Sequence, residues 1–507
     1  MRAHPEEPRP VTSAARTSVA ASARSGRQNL TGFLIVIVLA VLTLRVATLG
    51  LSTLHDRTEA RYGNIARVML ETGNWVTPQQ APGSPFWAKP PLFAWASAGS
   101  MAALGVNEFA VRLPSAVFTA AALFLTVFWA RTRAADRGAT ADEARAAGWA
   151  AGAVLATSAL WFVSAGAVMT EASMLLATTG IGVTFWFAVV RGGPGDTPLA
   201  PAWARWGFFL SVGVGLLAKG PVVPVLAGLP IFVWLVVERQ WRRMWERLPW
   251  LRGTAVALLV AAPWYAWAEL RTPGFLRYFI LGEHFGRFLV PNWPGDLYGQ
   301  AHAFPPGTIW AFWLMAALPW SFVALGRVVR WWRGRRDGAR LDADTRFLVL
   351  NVVVPLVFFT AARNIIWTYP IATLPALALL LAGGRLGAWW RPMLVATAAV
   401  YAVAFIWLLP RNDDRACAAG IVAEYRARAA NAPGPLYFVG ETLPHSARFY
   451  SRGEARLLAP GDPLPPASSS AYFVFPARGG GAEARGAWRQ QLTEAARRGD
   501  FVLCVQH

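Results

Sequence analysis

Across 507 residues, a hydrophobic content of 55% and 26 tryptophans make the chain too apolar for an array of soluble domains. The net charge of +20 sits in short arginine clusters between apolar runs. That pattern sets membrane topology and touches anionic headgroups, and it excludes nucleic acid as the partner in favour of membrane lipids.

The first 30 residues are polar, Ser/Ala-rich and carry five arginines, the composition of a disordered cytoplasmic tail. "TGFLIVIVLAVLTLRVATLGL" follows, long enough to cross about 30 Å of hydrocarbon and lacking a cleavage site, so it reads as a retained first span. Further apolar runs lie at about 110–130, 147–164, 173–190, 204–218, 221–237, 253–269, 307–326, 347–361, 366–383 and 393–410, making eleven expected spans. The connections 131–145, 238–252 and 326–340 are arginine-rich and therefore expected in the cytoplasm. This threading requires "PPLFAWASAGSMAALG" (90–105), short and headed by two prolines, not to cross. The segments 52–109, 165–172, the turn around 219, 270–306 and 362–365 then fall on the outer face.

After residue 410 the pattern changes to short β-like runs between Gly/Pro turns, with a helical pattern in "EARGAWRQQLTEAARRG". A small α/β domain over 411–507, outside the membrane, is expected. Both cysteines, Cys417 and Cys504, lie in it. An oxidising compartment would let them pair, and the alternative is two separate buried thiols.

Ionisable groups at a membrane edge are costly, which makes each a functional candidate. The first outer loop offers Asp56, Glu59, Arg61 and Tyr62, with Asp56 and Glu59 at i,i+3 spacing. The bland reading is an amphipathic surface helix with solvated acids. Glu171 stands alone as an acid in more than twenty apolar residues, so it must be paired, wet or protonated; a helix-start residue favoured by the macrodipole is the alternative. Lys89, Lys219, Arg287 and Arg363 supply cations that suit a lipid phosphate. Ordinary snorkelling to headgroups competes with that reading. Of the 48 basic residues just these two are lysine, which points to positions that need a compact point charge. No cofactor motif is present; a divalent metal has weak support, the lone D-x-D string at 342–344 lying on the opposite side from the acids.

Taken together, "EARYGNIARVMLETGNWVTP", "FWAKPPLFAW", "NEFAVRLPS", "LLAKGP", "PWYAWAELRTPGFLRYF", "EHFGRF" and "TYPIATLPALALLL" resemble the bacterial branch of the protein O-mannosyltransferase family, which includes aminoarabinose lipid A transferases. The resemblance runs from about 50 to 385. It implies a C-type glycosyltransferase (GT-C) fold, an all-α polytopic membrane domain over 31–410. The implied enzyme is a glycosyltransferase of the bacterial inner membrane, with a periplasmic active site and C-terminal domain. Its donor would be a polyprenyl-phosphate sugar and its acceptor lipid A, another glycolipid or a protein. The alternative class is a non-catalytic lipid-linked sugar transporter or assembly protein.

Carried over by position, Glu59, Arg61 and Tyr62 match the acidic first-loop motif, Lys89 the Lys-Pro motif and Lys219 the Lys-Gly-Pro turn. Glu171 falls where a second acid is expected, Glu283, His284 and Arg287 match the later outer loop, and Tyr369 a late tyrosine. Catalytic work is expected of Glu59, Asp56 and Glu171, and substrate binding of the cations, His284 and the tyrosines, with Trp87 stacking on sugar or isoprenoid. Thr58 stands where the family usually has Asp, and Ala88 where an acid commonly precedes the lysine. A phosphate acceptor, already anionic, would tolerate the loss of a general base better than a hydroxyl would.

Overall fold

The computed structural model describes residues 13–56, 58–192, 200–299, 302–334, 341–384, 389–412, 417–465, 471–477, 488 and 491–506. Helix α1 (Ser13–Ala47) already begins inside the polar N-terminal segment. The backbone over 13–30, where composition suggested disorder, is thus a helical extension of the first span, consistent with its many alanines. Residues 1–12 of that tail lie outside the described residues.

The segment 52–109, expected to be the first outer loop, folds into α2 (Glu59–Thr72), a short hairpin of β1 (Gln79–Ala81) and β2 (Ser84–Pro85), and α3 (Leu92–Leu104). At 13 residues α3 is about 20 Å long. That is shorter than the roughly 30 Å of a hydrocarbon core.

Next come α4 (Glu108–Asp136), α5 (Ala141–Ala156), α6 (Ala159–Ser164), and α7 (Glu171–Phe185), which runs on through a π turn at Trp186–Val190. They are followed by α8 (Ala202–Lys219), α9 (Val222–Glu238), the connector α10 (Trp241–Arg247) and α11 (Trp250–Arg271). A π-helical stretch, Arg277–Gly286, leads into α12 (Arg287–Leu289) in the connection 270–306. The last group is α13 (Thr308–Ala316), α14 (Trp320–Gly334), α15 (Ala343–Thr360), a 3₁₀ turn at Tyr369–Thr373 entering α16 (Leu374–Ala382), and α17 (Trp390–Ala402), continuous through Val403–Leu408 with α18 (Leu409–Asn412).

Each of the eleven apolar runs is therefore helical, and among the described residues five helices are long and apolar enough to cross a membrane, or six counting one bent pair. The protein is a multi-span membrane protein. Two expected spans are broken. The run 147–164 divides between α5 and α6, and 307–326 divides between α13 and α14, which meet at 114°. The breaks satisfy each other: the Ala159 N–H donates to the Leu318 carbonyl at 2.9 Å, and the Trp320 indole N–H donates to Thr157 Oγ1 at 2.9 Å.

Alternate ends of the helices gather at two places. The C-terminal ends of α4 and α7 meet the start of α15 around Arg133, Arg137, Arg191, Asp342 and Asp344, which line a cavity of about 850 Å³. Here the D-x-D string is consumed in ion pairs, with Asp344 2.6 Å from Arg133 and Asp342 2.8 Å from Arg137. The opposite ends of α1, α4, α7, α8 and α18 contribute to a second, larger cavity. Between them α7 is buried along its length, which is why its sequence lacks any polar stripe.

The C-terminal domain carries α19 (Ala419–Ala429), β3 (Leu436–Val439), α20 (His445–Tyr450), β4 (Arg456–Leu458), β5 (Tyr472–Pro476), β6 (Leu492–Arg498) and β7 (Phe501–Gln506). The sheet order is β4-β3-β5-β7-β6, with β3 parallel to β4 and β5, and β7 antiparallel to β5 and β6. The helical expectation for "LTEAARRG" is overturned: this segment is β6, paired to β7 from Leu492↔Gln506 to Arg498↔Phe501 across a tight turn with Gly499 at φ +51. The Gly-Asp turn and a long partner strand outweigh helix propensity. Cys417 and Cys504 form no disulfide. Cys504 packs on the sheet face with Phe473 and Val502, whereas Cys417 precedes α19 on the other face, its Sγ 3.4 Å from the Leu54 carbonyl.

Candidate functional site

The second cavity measures about 1160 Å³ and lies where the first outer loop, the spans and the C-terminal domain meet. Among the described residues its lining carries six cationic side chains, Arg45, Arg61, Lys89, Arg112, Lys219 and Arg287, against three carboxylates, Glu59, Glu171 and Asp296. Tyr62 and Tyr369 also line it. Eight of the eleven expected site residues line it, and a ninth, Asp56, is hydrogen-bonded to the lining residue His445.

Lys219 owes its place to a turn. It ends α8; Gly220 follows at φ +82, and Pro221 starts α9. A Cβ on Gly220 would lie 2.5 Å from the Phe279 ring, so glycine is required both by its backbone angle and by space. The Lys219 ammonium meets Glu171 Oε1 at 2.8 Å and stands 5.2 Å from the centre of the Tyr369 ring. Thr368 Oγ1 donates to the same carboxylate oxygen at 2.8 Å. Both ion-pair partners are buried. Glu171 is therefore neither solvated nor spare: it fixes the lysine.

Lys89 is held differently. Its ammonium donates to the Ala88 carbonyl at 2.7 Å and pairs with Glu283 Oε2 at 3.0 Å. Glu283 also meets Arg287 at 3.2 Å and accepts from the Tyr278 hydroxyl at 3.1 Å. Arg287 reaches on to Asp296 at 3.6 Å. Burial alone would raise the Glu283 pKa, but Lys89 and Arg287 outweigh it and hold the carboxylate below its ordinary range.

The first-loop acids do other work than expected. Glu59 is clamped by Arg112, with Oε1 3.1 Å from Nε and Oε2 2.8 Å from an Nη, and it accepts the Val168 N–H at 3.1 Å. Arg112 spends its remaining donors on the carbonyls of Leu49, Ser52 and Thr53 at 2.7 to 2.8 Å. Burial would raise the Glu59 pKa; the guanidinium more than offsets it. This is a two-pronged lock between loop and α4. Asp56 accepts from the backbone N–H groups of His445 and Ser446 at 3.1 and 3.3 Å and from Ser446 Oγ at 2.6 Å, so it is tied to the C-terminal domain. Thr58 is exposed and lines the cavity without capping α2.

Arg61 and Tyr62 sit as expected. Arg61 donates to the Tyr298 carbonyl at 2.5 Å and lies over the Tyr62 and Phe86 rings, its Nε buried and without a hydrogen bond among the described residues. Tyr62 packs edge-on against Phe93 at 4.7 Å.

Three expectations fail on position. Arg363 is exposed and does not line the cavity; its backbone N–H bonds to Phe288. His284 is tucked beneath the Lys219 turn, Nδ1 2.7 Å from the Phe279 carbonyl and its ring 4.7 Å from that phenyl, so it braces the turn rather than facing substrate. Trp87 gives its indole N–H to Thr272 at 3.1 Å and is not in the lining.

Other cavity residues escaped sequence reading. Arg45 and Arg112 are charges inside apolar helices, a signal that was present and passed over. The Arg45 guanidinium bonds to the Phe162 carbonyl at 3.0 Å and occupies the space left by Gly166, where a Cβ would stand 2.0 Å away. Asp296 and His445 had no such signal. They come to the cavity through a loop and through a separate domain.

Residues 29–279 match the family described as dolichyl-phosphate-mannose-protein mannosyltransferase. An undecaprenyl phosphate-alpha-4-amino-4-deoxy-L-arabinose arabinosyl transferase of Pseudomonas fluorescens is 31% identical over 340 residues, 64% of this chain and 52% of that protein. The enzyme of that name from Pseudomonas aeruginosa is 30% identical over 332 residues, 64% of this chain and 54% of the relative. Residues 29–279 thus carry a domain of the protein O-mannosyltransferase-like family. The chain spans about half the length of the curated relatives it matches. In fold it is similar to ArnT from Cupriavidus metallidurans, solved bound to undecaprenyl phosphate, with a TM-score of 0.71 at 20% identity over 94% of this chain and 98% of that one. The fold is therefore GT-C, a polytopic helical membrane domain carrying a small C-terminal sheet domain.

Proposed function

We propose that the protein is an integral-membrane glycosyltransferase that moves a monosaccharide from a polyprenyl-phosphate donor to a lipid A or related envelope glycolipid acceptor. One observation carries this reading: cations from three distant parts of the chain, Lys89, Lys219 and Arg287, line one cavity in which cationic side chains outnumber carboxylates two to one among the described residues. The leaving group is a lipid phosphate, and fixed cations in a water-poor cleft stabilise the charge that develops on it. Lys219 and Lys89 are held by Glu171 and Glu283, so their ammonium groups are pre-positioned and need no reorganisation as the sugar–phosphate bond breaks. The names of the relatives, which carry undecaprenyl phosphate and aminoarabinose, supply the substrate class.

The cavity is read as periplasmic. Support comes from the opposite end of the bundle, where Arg133, Arg137, Arg191 and Arg247 gather and the positive-inside rule favours the cytoplasm. With Glu59 locked to Arg112 and no acid at position 58, an acceptor that is already anionic fits best. The test is transfer of labelled sugar from a defined polyprenyl-phosphate donor by the purified full-length protein, with lipid A and peptide acceptors in parallel. Transfer to lipid A is expected; transfer to peptide alone would favour a protein glycosyltransferase, and no release of sugar would overturn the enzymatic reading.

A further inference from the structure

The cavity has a wall that belongs to the C-terminal domain. Asp56, just ahead of α2, accepts three hydrogen bonds from the first turn of α20, two from backbone N–H groups and one from Ser446 Oγ at 2.6 Å. Leu54 secures the same junction on both sides, its N–H donating to the Tyr450 hydroxyl at 2.8 Å and its carbonyl lying 3.4 Å from Cys417 Sγ. The Tyr450 hydroxyl in turn donates a hydrogen bond to Glu108 at 2.8 Å, and Phe449 is buried in one apolar cluster with Leu54, Tyr62 and Ile65. So many short contacts leave α20 little freedom. They put the His445 side chain in the cavity lining beside Thr58, Arg61 and Tyr62.

His445 differs from the carboxylates there. The three lining carboxylates are each committed to a cation: Glu59 to Arg112, Glu171 to Lys219 and Asp296 to Arg287. The imidazole is in no ion pair among the described residues, and its buried Nδ1 lacks a hydrogen-bond partner. Burial first, then Arg61 and Arg448, outweigh the attraction of Asp56 and push the imidazole down to about 4, so it is neutral at pH 7. A neutral imidazole offers one donor and one acceptor, which suits a phosphate oxygen or a hydroxyl equally.

We propose that His445 is a substrate-contacting residue for the acceptor head group, and that Asp56 is the positioning residue that holds it at the cavity. This rests on the glycosyltransferase reading and extends it: the C-terminal domain is part of the site rather than a lid or a brace. The polar acceptor group, phosphate or hydroxyl, is bound between that domain and α2, and the donor phosphate lies against the lysines.

The test uses full-length protein in lipid nanodiscs, with initial rates measured against donor and acceptor separately. His445→Gln is expected to lower kcat/KM for the acceptor about tenfold, the worth of a hydrogen bond in a dry site, and to leave donor KM within about twofold. Asp56→Asn is expected to lower acceptor kcat/KM by less. Combined with His445→Gln it should add nothing, because it acts through the same ring. An unchanged acceptor kcat/KM in His445→Gln, or an equal rise in donor KM, overturns the proposal. Thermal unfolding of each variant separates loss of fold from loss of contact, and His445→Asn serves if the glutamine does not fold. Failure of the unsubstituted protein to transfer sugar would sink the parent reading. Full activity in the variants would sink this inference alone.

Discussion

The two lysines reach one cavity by opposite routes. Lys219 is buried between helices, its carboxylate partner Glu171 equally enclosed, and the turn beneath it is fixed by Gly220 and braced by His284. Lys89 is anchored from a loop, more open to solvent, and shares Glu283 with Arg287. One is a closed pair inside the bundle, and the other is a link in a chain of charges. A buried pair cannot lose a member without leaving an unmatched charge, whereas a network redistributes.

Substitution breaks that comparison most sharply at Lys219. Lys219→Ala is expected to remove transfer by a hundredfold or more and to cost about 3–5 kcal/mol of stability, because Glu171 is left buried without its counter-charge. Lys219→Met combined with Glu171→Leu should recover most of the stability and none of the activity, as read by thermal unfolding and sugar transfer. If activity returned with the fold, the phosphate role would be wrong.

Glu59→Gln comes next. The lock on Arg112 predicts a stability loss of about 2–4 kcal/mol, with kcat close to wild type in the fraction that remains folded. A catalytic Glu59 would show the reverse, a stable protein that is inert.

Lys89→Ala is expected to lose transfer about tenfold to a hundredfold while changing stability by about 1 kcal/mol or less, since Arg287 still neutralises Glu283. Equal destabilisation at both lysines would erase the contrast between pair and network.

The smallest effect concerns pH. His445 has a folded pKa near 4 against an ordinary 6.5, so below about 6.5 the unfolded chain takes up a proton that the folded chain refuses. The stability this group contributes is complete above that value and declines as pH falls toward about 4. Comparing wild type with His445→Gln between those values should show a shallower decline in the variant.

Much of this was legible without coordinates. The eleven helical runs, the refusal of 90–105 as a span, and the grouping of Lys89, Lys219, Arg287 and Glu171 follow from hydropathy, charge bias and the cost of burying ions. Partnership was not legible. Glu59 and Glu171 look alike in sequence as acids at helix starts, yet one is locked to Arg112 from α4 and the other holds Lys219 from α8. Asp56 was expected at the chemistry and instead grips α20, nearly four hundred residues away in the chain. The strand β6 carries helix-forming residues and is decided by its hairpin with β7.

By itself, then, the amino-acid sequence determined which segments form apolar helices and that two lysines are exceptional, and it suggested a threading for the loops. Those properties depend on local composition, and transfer free energy sums residue by residue. Which carboxylate neutralises which cation, whether a thiol meets its partner, and that His445 closes the cavity were decided by tertiary structure. Ion pairs and hydrogen bonds act over a few ångströms between residues that sequence separation does not relate.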